Sequence, residues 1–337
     1  MTTMSPSDAQ LVAYLSNVSA QVSSYFSMFI FLTGTIGNIL NIITLSQSGL
    51  RQIPCVFFLF VSSIASLISV GLGVVTRALS GWAVDPTYTI GWLCKMRTFL
   101  VYSTRAMVFW LFVAATVDRW LSSSVQIHRR NFSTLKNARR ETMFIVMISL
   151  LIHAQILYCH DGNLTSGPFK CYAINHTCQL VSDVIFAGFT TIPPICCMLI
   201  FSLMTLSNIR QSQRRILQRG TATSSQQITT NTSTSQQRSK KVENQLVLMV
   251  LVQTVVLSVL TLPQAIHRLY VVGTESFHSA VQEAIDTAIY NIILLFTYLA
   301  SALPFYIYTL TGGSLFRQAL IESAKSIFKT ITCQRRH

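Results

Sequence analysis

Arg105 lies inside an apolar run, Trp92–Leu121, in which the first acid is Asp118. A charge at membrane depth costs at least about 2.5 kcal/mol and normally faces a bundle interior. One reading makes Arg105 the anion-binding floor of a pocket, and the other makes it a structural ion pair or a water-solvated arginine. The absence of mid-span acids favours the first. Arg105 follows Cys94 by 11 residues. In a helix this places it about 16 Å deeper and about 20° away in angle, on the same face. His267, Arg268 and Tyr290, in later apolar runs, are candidate wall residues, although solvated helix-end residues would look the same. The run ends at Asp118-Arg119-Trp120, and an Asp-Arg pair at a helix end is most often a solvated surface pair.

Those runs need a bilayer around them. With 51% hydrophobic and 11% charged residues, the 337-residue chain is far from the roughly 25% charged residues of soluble domains. The longest stretch without an apolar span, Arg210–Lys241, is shorter than the ~50 residues of a small domain, which excludes a soluble enzyme. No paired acids or metal constellation fall within the spans, no C-x-x-C occurs, and neither a metal nor another cofactor is expected. The net charge of +14 would suggest nucleic acid in a soluble domain, but in a membrane chain its position matters more, and no nucleic-acid partner is expected.

A bilayer core takes about 20 apolar residues per helix. Seven runs qualify: Tyr25–Leu45, Cys55–Thr76, Trp92–Leu121, Thr142–Cys159, Val184–Leu206, Leu246–Tyr270 and Ala284–Leu310. Met1–Gln21 has no basic start and no apolar core, so a cleaved signal peptide is not expected. With the N-terminus outside, the inner segments carry 19 basic residues against four acids, and the outer ones five basic residues against seven acids. Basic loops stay cytoplasmic, so the N-terminus is expected outside. The sequons at Asn17, Asn163 and Asn175 fall on the outer side, where glycosylation occurs.

The expected fold is therefore an all-α membrane protein: a seven-transmembrane helix bundle over residues 25–310, with an extracellular N-terminus over 1–24. Residues 210–241 read as a disordered cytoplasmic loop, with ten Ser or Thr among 221–235. Residues 311–337 read as an amphipathic surface helix and tail. In it Phe316, Leu320, Ile327 and Ile331 recur at near-helical spacing opposite Arg317, Lys325 and Lys329. Cys333 is a palmitoylation candidate or a free thiol.

Cys94 and Asp118-Arg119-Trp120, with 25 residues from cysteine to arginine, resemble the third span and D-R-Y motif of rhodopsin-like (class A) G protein-coupled receptors. Gly37-Asn38 resembles that family's first-span G-N pair, and Pro263 its sixth-span proline. Several positions depart from the pattern. Ser66 stands for the sodium-binding Asp, Thr261 for the toggle Trp, the fourth span lacks its Trp, and Pro304-Phe305-Tyr306-Ile307-Tyr308 replaces N-P-x-x-Y. Either Pro304 or Tyr308 keeps its family place. The losses resemble divergent invertebrate peptide-receptor-like groups, of FMRFamide and nematode SRW type.

The resemblance implies a plasma-membrane receptor for an extracellular ligand, with a heterotrimeric G protein as partner and arrestin and kinases as further candidates. Asp118, Arg119, Trp120, Glu243 and Tyr308 would form its switch, with Glu243, 20 residues before Pro263, sharing Arg119. Cys94 would staple the second outer loop through Cys171, with Cys178 as runner-up and Cys159–Cys178 as a second bridge. Val101 stands where amine receptors carry an Asp, and no Lys lies between Ala280 and Leu310 for a retinal Schiff base. A peptide with a terminal carboxylate is the preferred ligand, and a small anion the alternative. A weakly coupling decoy, a seven-span transporter and an odorant-type channel are the competing readings. The transporter would show repeats that are absent, and the channel would reverse the charge asymmetry.

Overall fold

The computed structural model describes residues 5–79, 86–162, 164, 171–222, 231–274 and 280–334. In it α1 runs Pro6–Leu45, a short α2 covers Ser48–Arg51, and α3 runs Pro54–Leu79. The central α4 spans Gly91–Ser122 and touches α3 and, among later elements, α6 (Leu135–His153), α7 (Ile156–Cys159), α9 (Ile192–Ala222) and α10 (Asn231–Thr274). A one-turn α5 (Ile127–Arg130) precedes α6, and α8 (His176–Ile185) precedes α9. The chain then forms α11 (Ala280–Ala302), α12 (Pro304–Thr311) and α13 (Gly313–Gln334). Among the described residues, seven helical stretches are long and apolar enough to cross a membrane.

Polarity is arranged for lipid. Large apolar side chains such as Met143, Phe144, Leu203 and Val259 face outward and are exposed, whereas Ser27, Asn38, Asn41, Ser62, Ser63, Ser66, Gln253 and Gln264 are buried between helices. Small and polar residues suit helix contacts in a membrane because backbones can approach and hydrogen bonds can cross. Asn38 uses one amide nitrogen for both, donating to Gly34 O at 2.8 Å and across to Ser301 O at 3.1 Å. At Gly73 any Cβ would collide with the Tyr298 ring, so the absence of a side chain lets α3 and α11 meet.

Two boundaries differ from the sequence reading. The first helix begins at Pro6, not near Tyr25: Ser5 caps it by accepting from Asp8 N, and Pro6 suits the first turn. Its additional turns are held against the bundle, since Ser19 Oγ accepts from Asn291 Nδ2 at 3.1 Å and Ser24 Oγ donates to Ala78 O at 3.0 Å. The expected disordered segment 210–241 is instead helical up to Ala222 and from Asn231 onward. Extending an existing helix avoids the cost of nucleation, so polar residues can continue one that an apolar span has started.

Within the fifth span the backbone adopts a π turn over Phe186–Thr191, and Ile192 N donates to Ala187 O. Pro193 and Pro194 lack the N–H groups that an α-helix would use there, which favours a changed register just before them. Gly313, with φ +55°, turns the chain between α12 and α13. On α13 Phe316 is not presented to a membrane surface as expected. It is 1% exposed, edge-on to Phe305 and Tyr308 at 6.0 and 5.9 Å, because those rings offer it an aromatic slot. Gln47 Nε2 further ties this helix to the bundle through Ala319 O and Ser323 Oγ.

Candidate functional site

At one end of α4 the chain between α7 and α8 is stapled across the bundle. Cys94 is bonded to Cys171 and Cys159 to Cys178, and a two-stranded antiparallel pairing joins β1 (His160–Asp161) to β2 (Tyr172–Ala173). Lys95 Nζ lies 3.3 Å from Asp161 Oδ2. Asp161 Oδ1 also accepts from Gly162 N at 2.8 Å, and that bond, followed by Lys95, holds its carboxyl below the usual carboxylate range.

Beneath this cover lie two adjoining cavities of about 280 and about 250 Å³ that share Tyr102, His160, Tyr172, Arg268 and Tyr290. The first is lined by Asp183, Glu283 and Asp286 together with Ser182 and His267. The second is lined by Arg77, Arg97 and Arg105, with Val101 and Tyr298, and by no Asp or Glu among the described residues. The two lobes therefore differ in sign. His160 sits between them, and its burial, reinforced by Arg268, pushes its pKa down to about 4, so the ring is neutral near pH 7.

Arg105 is 4% exposed. Its Nη1 donates to Gln264 Oε1 at 3.3 Å, and its guanidinium lies 4.6 Å from the Tyr298 ring and 5.9 Å from that of Phe186. Nε and Nη2 have no hydrogen-bond partner among the described residues. A buried, charged donor left unsatisfied is expensive, so the second lobe favours a group that accepts from both.

Arg268, expected as an outer wall residue, is a buried hub. Its Nη1 donates to Asp183 Oδ1 at 2.6 Å, and its Nη2 donates to Tyr102 Oη at 2.7 Å and to Tyr290 Oη at 2.9 Å. One side chain of α10 thus joins α8, α4 and α11. His267 lines the first lobe, 6.2 Å from the Tyr290 ring, and among the described residues neither of its ring nitrogens is hydrogen-bonded. Tyr102, Gln264 and Tyr298 escaped the sequence reading, as did the pairing role of Asp183. Tyr102 follows Val101 directly and was legible once that position was placed in the pocket.

At the opposite end of α4, Arg119 and Asp118 form an ion pair with both side chains buried, and Ser133 Oγ donates to Asp118 Oδ1. Asp118 and Arg119 are therefore not a solvated surface pair. Glu243 was expected to hold Arg119 directly. Among the described residues no such ion pair forms, and Glu243 contributes only a longer-range attraction, behind that of Asp118. Trp120 packs on Phe201 at 5.2 Å, beneath the Arg129 guanidinium. Tyr308 is fully buried beside Phe316 with its hydroxyl unpartnered, and Pro304 opens α12.

Asn17 and Asn175 are exposed, the latter capping α8 by accepting from Cys178 N at 2.8 Å. Asn163 lies outside the described residues. Cys333 falls on α13, but its side chain is not among those described.

Seven apolar helices around a buried polar interior make the chain a multi-pass membrane protein. Compared with protein-family models and with curated proteins, the sequence matches none.

Proposed function

We propose that the chain is a rhodopsin-like G protein-coupled receptor, with its disulfide end extracellular and its Asp118–Arg119 end cytoplasmic, that takes up a peptide or small anion and activates a heterotrimeric G protein. The observation that carries the reading is the two ends of α4. One presents Arg105 to a disulfide-covered cavity, and the other buries the Asp118–Arg119 pair, so a single helix links a ligand-sized space to an electrostatic latch. The basic asymmetry of the segments supports this orientation.

A latch biases an equilibrium, and weakening it favours the state in which Arg119 is released. Asp118→Asn therefore raises basal nucleotide exchange on a panel of G proteins reconstituted with the receptor. Glu243→Ala raises it less, because its attraction acts at longer range. If both variants match the wild-type basal rate at equal receptor concentration, the latch is no part of the mechanism. If no G protein responds to any variant or ligand pool, the receptor reading fails.

A further inference from the structure

We infer that the group received by the second lobe is a carboxylate, held bidentately by Nε and Nη2 of Arg105. The inference rests on the receptor reading and names the ligand class of that same cavity.

Nη1 is spent on Gln264 Oε1, while Nε and Nη2 have no partner among the described residues. Those two nitrogens lie on the same edge of the guanidinium, so their N–H bonds form a parallel fork in one plane. Such a fork matches two coplanar oxygens carrying one shared negative charge, and a carboxylate supplies that arrangement. A C-terminal amide supplies one acceptor, no charge, and an NH₂ group that would meet Nη2–H donor to donor.

The surroundings hold the fork in place. Tyr298 lies 4.6 Å from the guanidinium and Phe186 lies 5.9 Å from it, and Gln264, 0% exposed, fixes the far edge. The fork is thus preorganised, which lowers the ordering cost of binding. No Asp or Glu among the described residues lines this lobe, so an incoming carboxylate has no internal rival.

Depth adds a shape requirement. Arg105 lies 11 residues beyond the disulfide-bonded Cys94, about 16 Å along the helix. The carboxylate must therefore end a slim, extended chain. Glu283 and Asp286 line the adjoining lobe, so a second negative charge on the ligand is repelled there. The chemistry is that of a monoanionic, carboxylate-ended chain, which either a peptide with a free C-terminus or an aliphatic monocarboxylic acid supplies.

Thermal unfolding of the purified full-length protein in nanodiscs tests this. The probes are matched tetrapeptide pools with free or amidated C-termini, together with linear monocarboxylates and dicarboxylates of two to ten carbons. The expected result is a rise in unfolding temperature with the free-acid pool, the monocarboxylates, or both; which of them acts identifies the source. The amidated pool and the dicarboxylates leave it unchanged. Arg105→Gln abolishes the shift, and Arg105→Lys, which keeps the charge but not the fork, weakens apparent affinity at least tenfold. The comparison of acid with amide needs only the wild-type protein, so it stands even if Arg105 variants misfold. Equal stabilisation by the amidated pool or the dicarboxylates, no stabilisation by any probe, or a shift retained in Arg105→Gln would overturn the inference. Nucleotide exchange on G proteins, read separately, keeps the two proposals apart. Carboxylate binding without exchange removes the receptor reading alone, whereas exchange driven by the amidated pool removes this inference alone.

Discussion

Asp183→Asn is the most informative single change in the bundle. It preserves the shape of the side chain but removes the charge that faces Arg268 Nη1 at 2.6 Å, where both side chains are almost fully buried. Two unit charges ~4 Å apart at an effective dielectric constant of ~20 attract by about 4 kcal/mol, and breaking one partner of a buried pair costs about 3–5 kcal/mol. The hydroxyls of Tyr102 and Tyr290 remain on Nη2 and offset part of the loss. The expected destabilisation is therefore about 3 kcal/mol, or a fall of about 4 °C in unfolding temperature for a chain of this length at a fixed scan rate. The double variant Asp183→Asn/Arg268→Gln should lose less than the sum of the singles, because it leaves no buried charge uncompensated. If Asp183→Asn moves the transition by less than a degree, or the singles and double add, then the hub carries no stability and the reasoning fails.

Other consequences can be checked on the same protein. His160 binds its proton at about 4 when folded and near 6.5 when unfolded, so stability is complete above pH 6.5 and falls as pH drops toward 4, by at most about 3 kcal/mol. His160→Gln should flatten that part of the pH profile, and an unchanged profile would remove the residue from the acid response. Opening the Cys159–Cys178 bridge with paired serines should cost about 2–5 kcal/mol by thermal unfolding, while non-reducing peptide mapping should still find Cys94 joined to Cys171. Asn17→Gln should reduce the mass lost on N-glycosidase treatment of membrane-expressed protein, and an unaltered loss would show that Asn17 carries no glycan.

Much of the bundle was legible because apolar runs of membrane length can do little else in a polypeptide. The run Trp92–Leu121 matches α4 to within a residue at each end, and the run ending at Tyr270 stops within a few residues of the end of α10. Arg105 was legible for a related reason, since a charge in such a run must face inward. Arg268 was harder to place. It lies at the end of its run, where a solvated arginine and a buried hub have the same local sequence, and only the approach of Asp183, Tyr102 and Tyr290 from three other helices tells them apart. The start of α1 escaped because Ser19 and Ser24 look like polar surface until Asn291 and Ala78 meet them. The helical extensions at Ala222 and Asn231 escaped because composition reports what cannot nucleate a helix, not what can prolong one.

The π turn over Phe186–Thr191 makes the fifth span one residue longer, turn for turn, than a regular helix would need. Deleting a single residue there would restore regular winding ahead of Pro193 and Pro194. Yet everything on its N-terminal side would swing by about 100° and shift by about 1.5 Å relative to α9. Asp183 would then turn away from Arg268, and Ser182 and Gln179 would leave the acidic lobe, although no cavity residue had been substituted. For this span, length is as much a determinant of what the cavity recognises as composition: an insertion or deletion between Asp183 and Pro193 rewrites the pocket, whereas the same change after Thr205 would leave it intact.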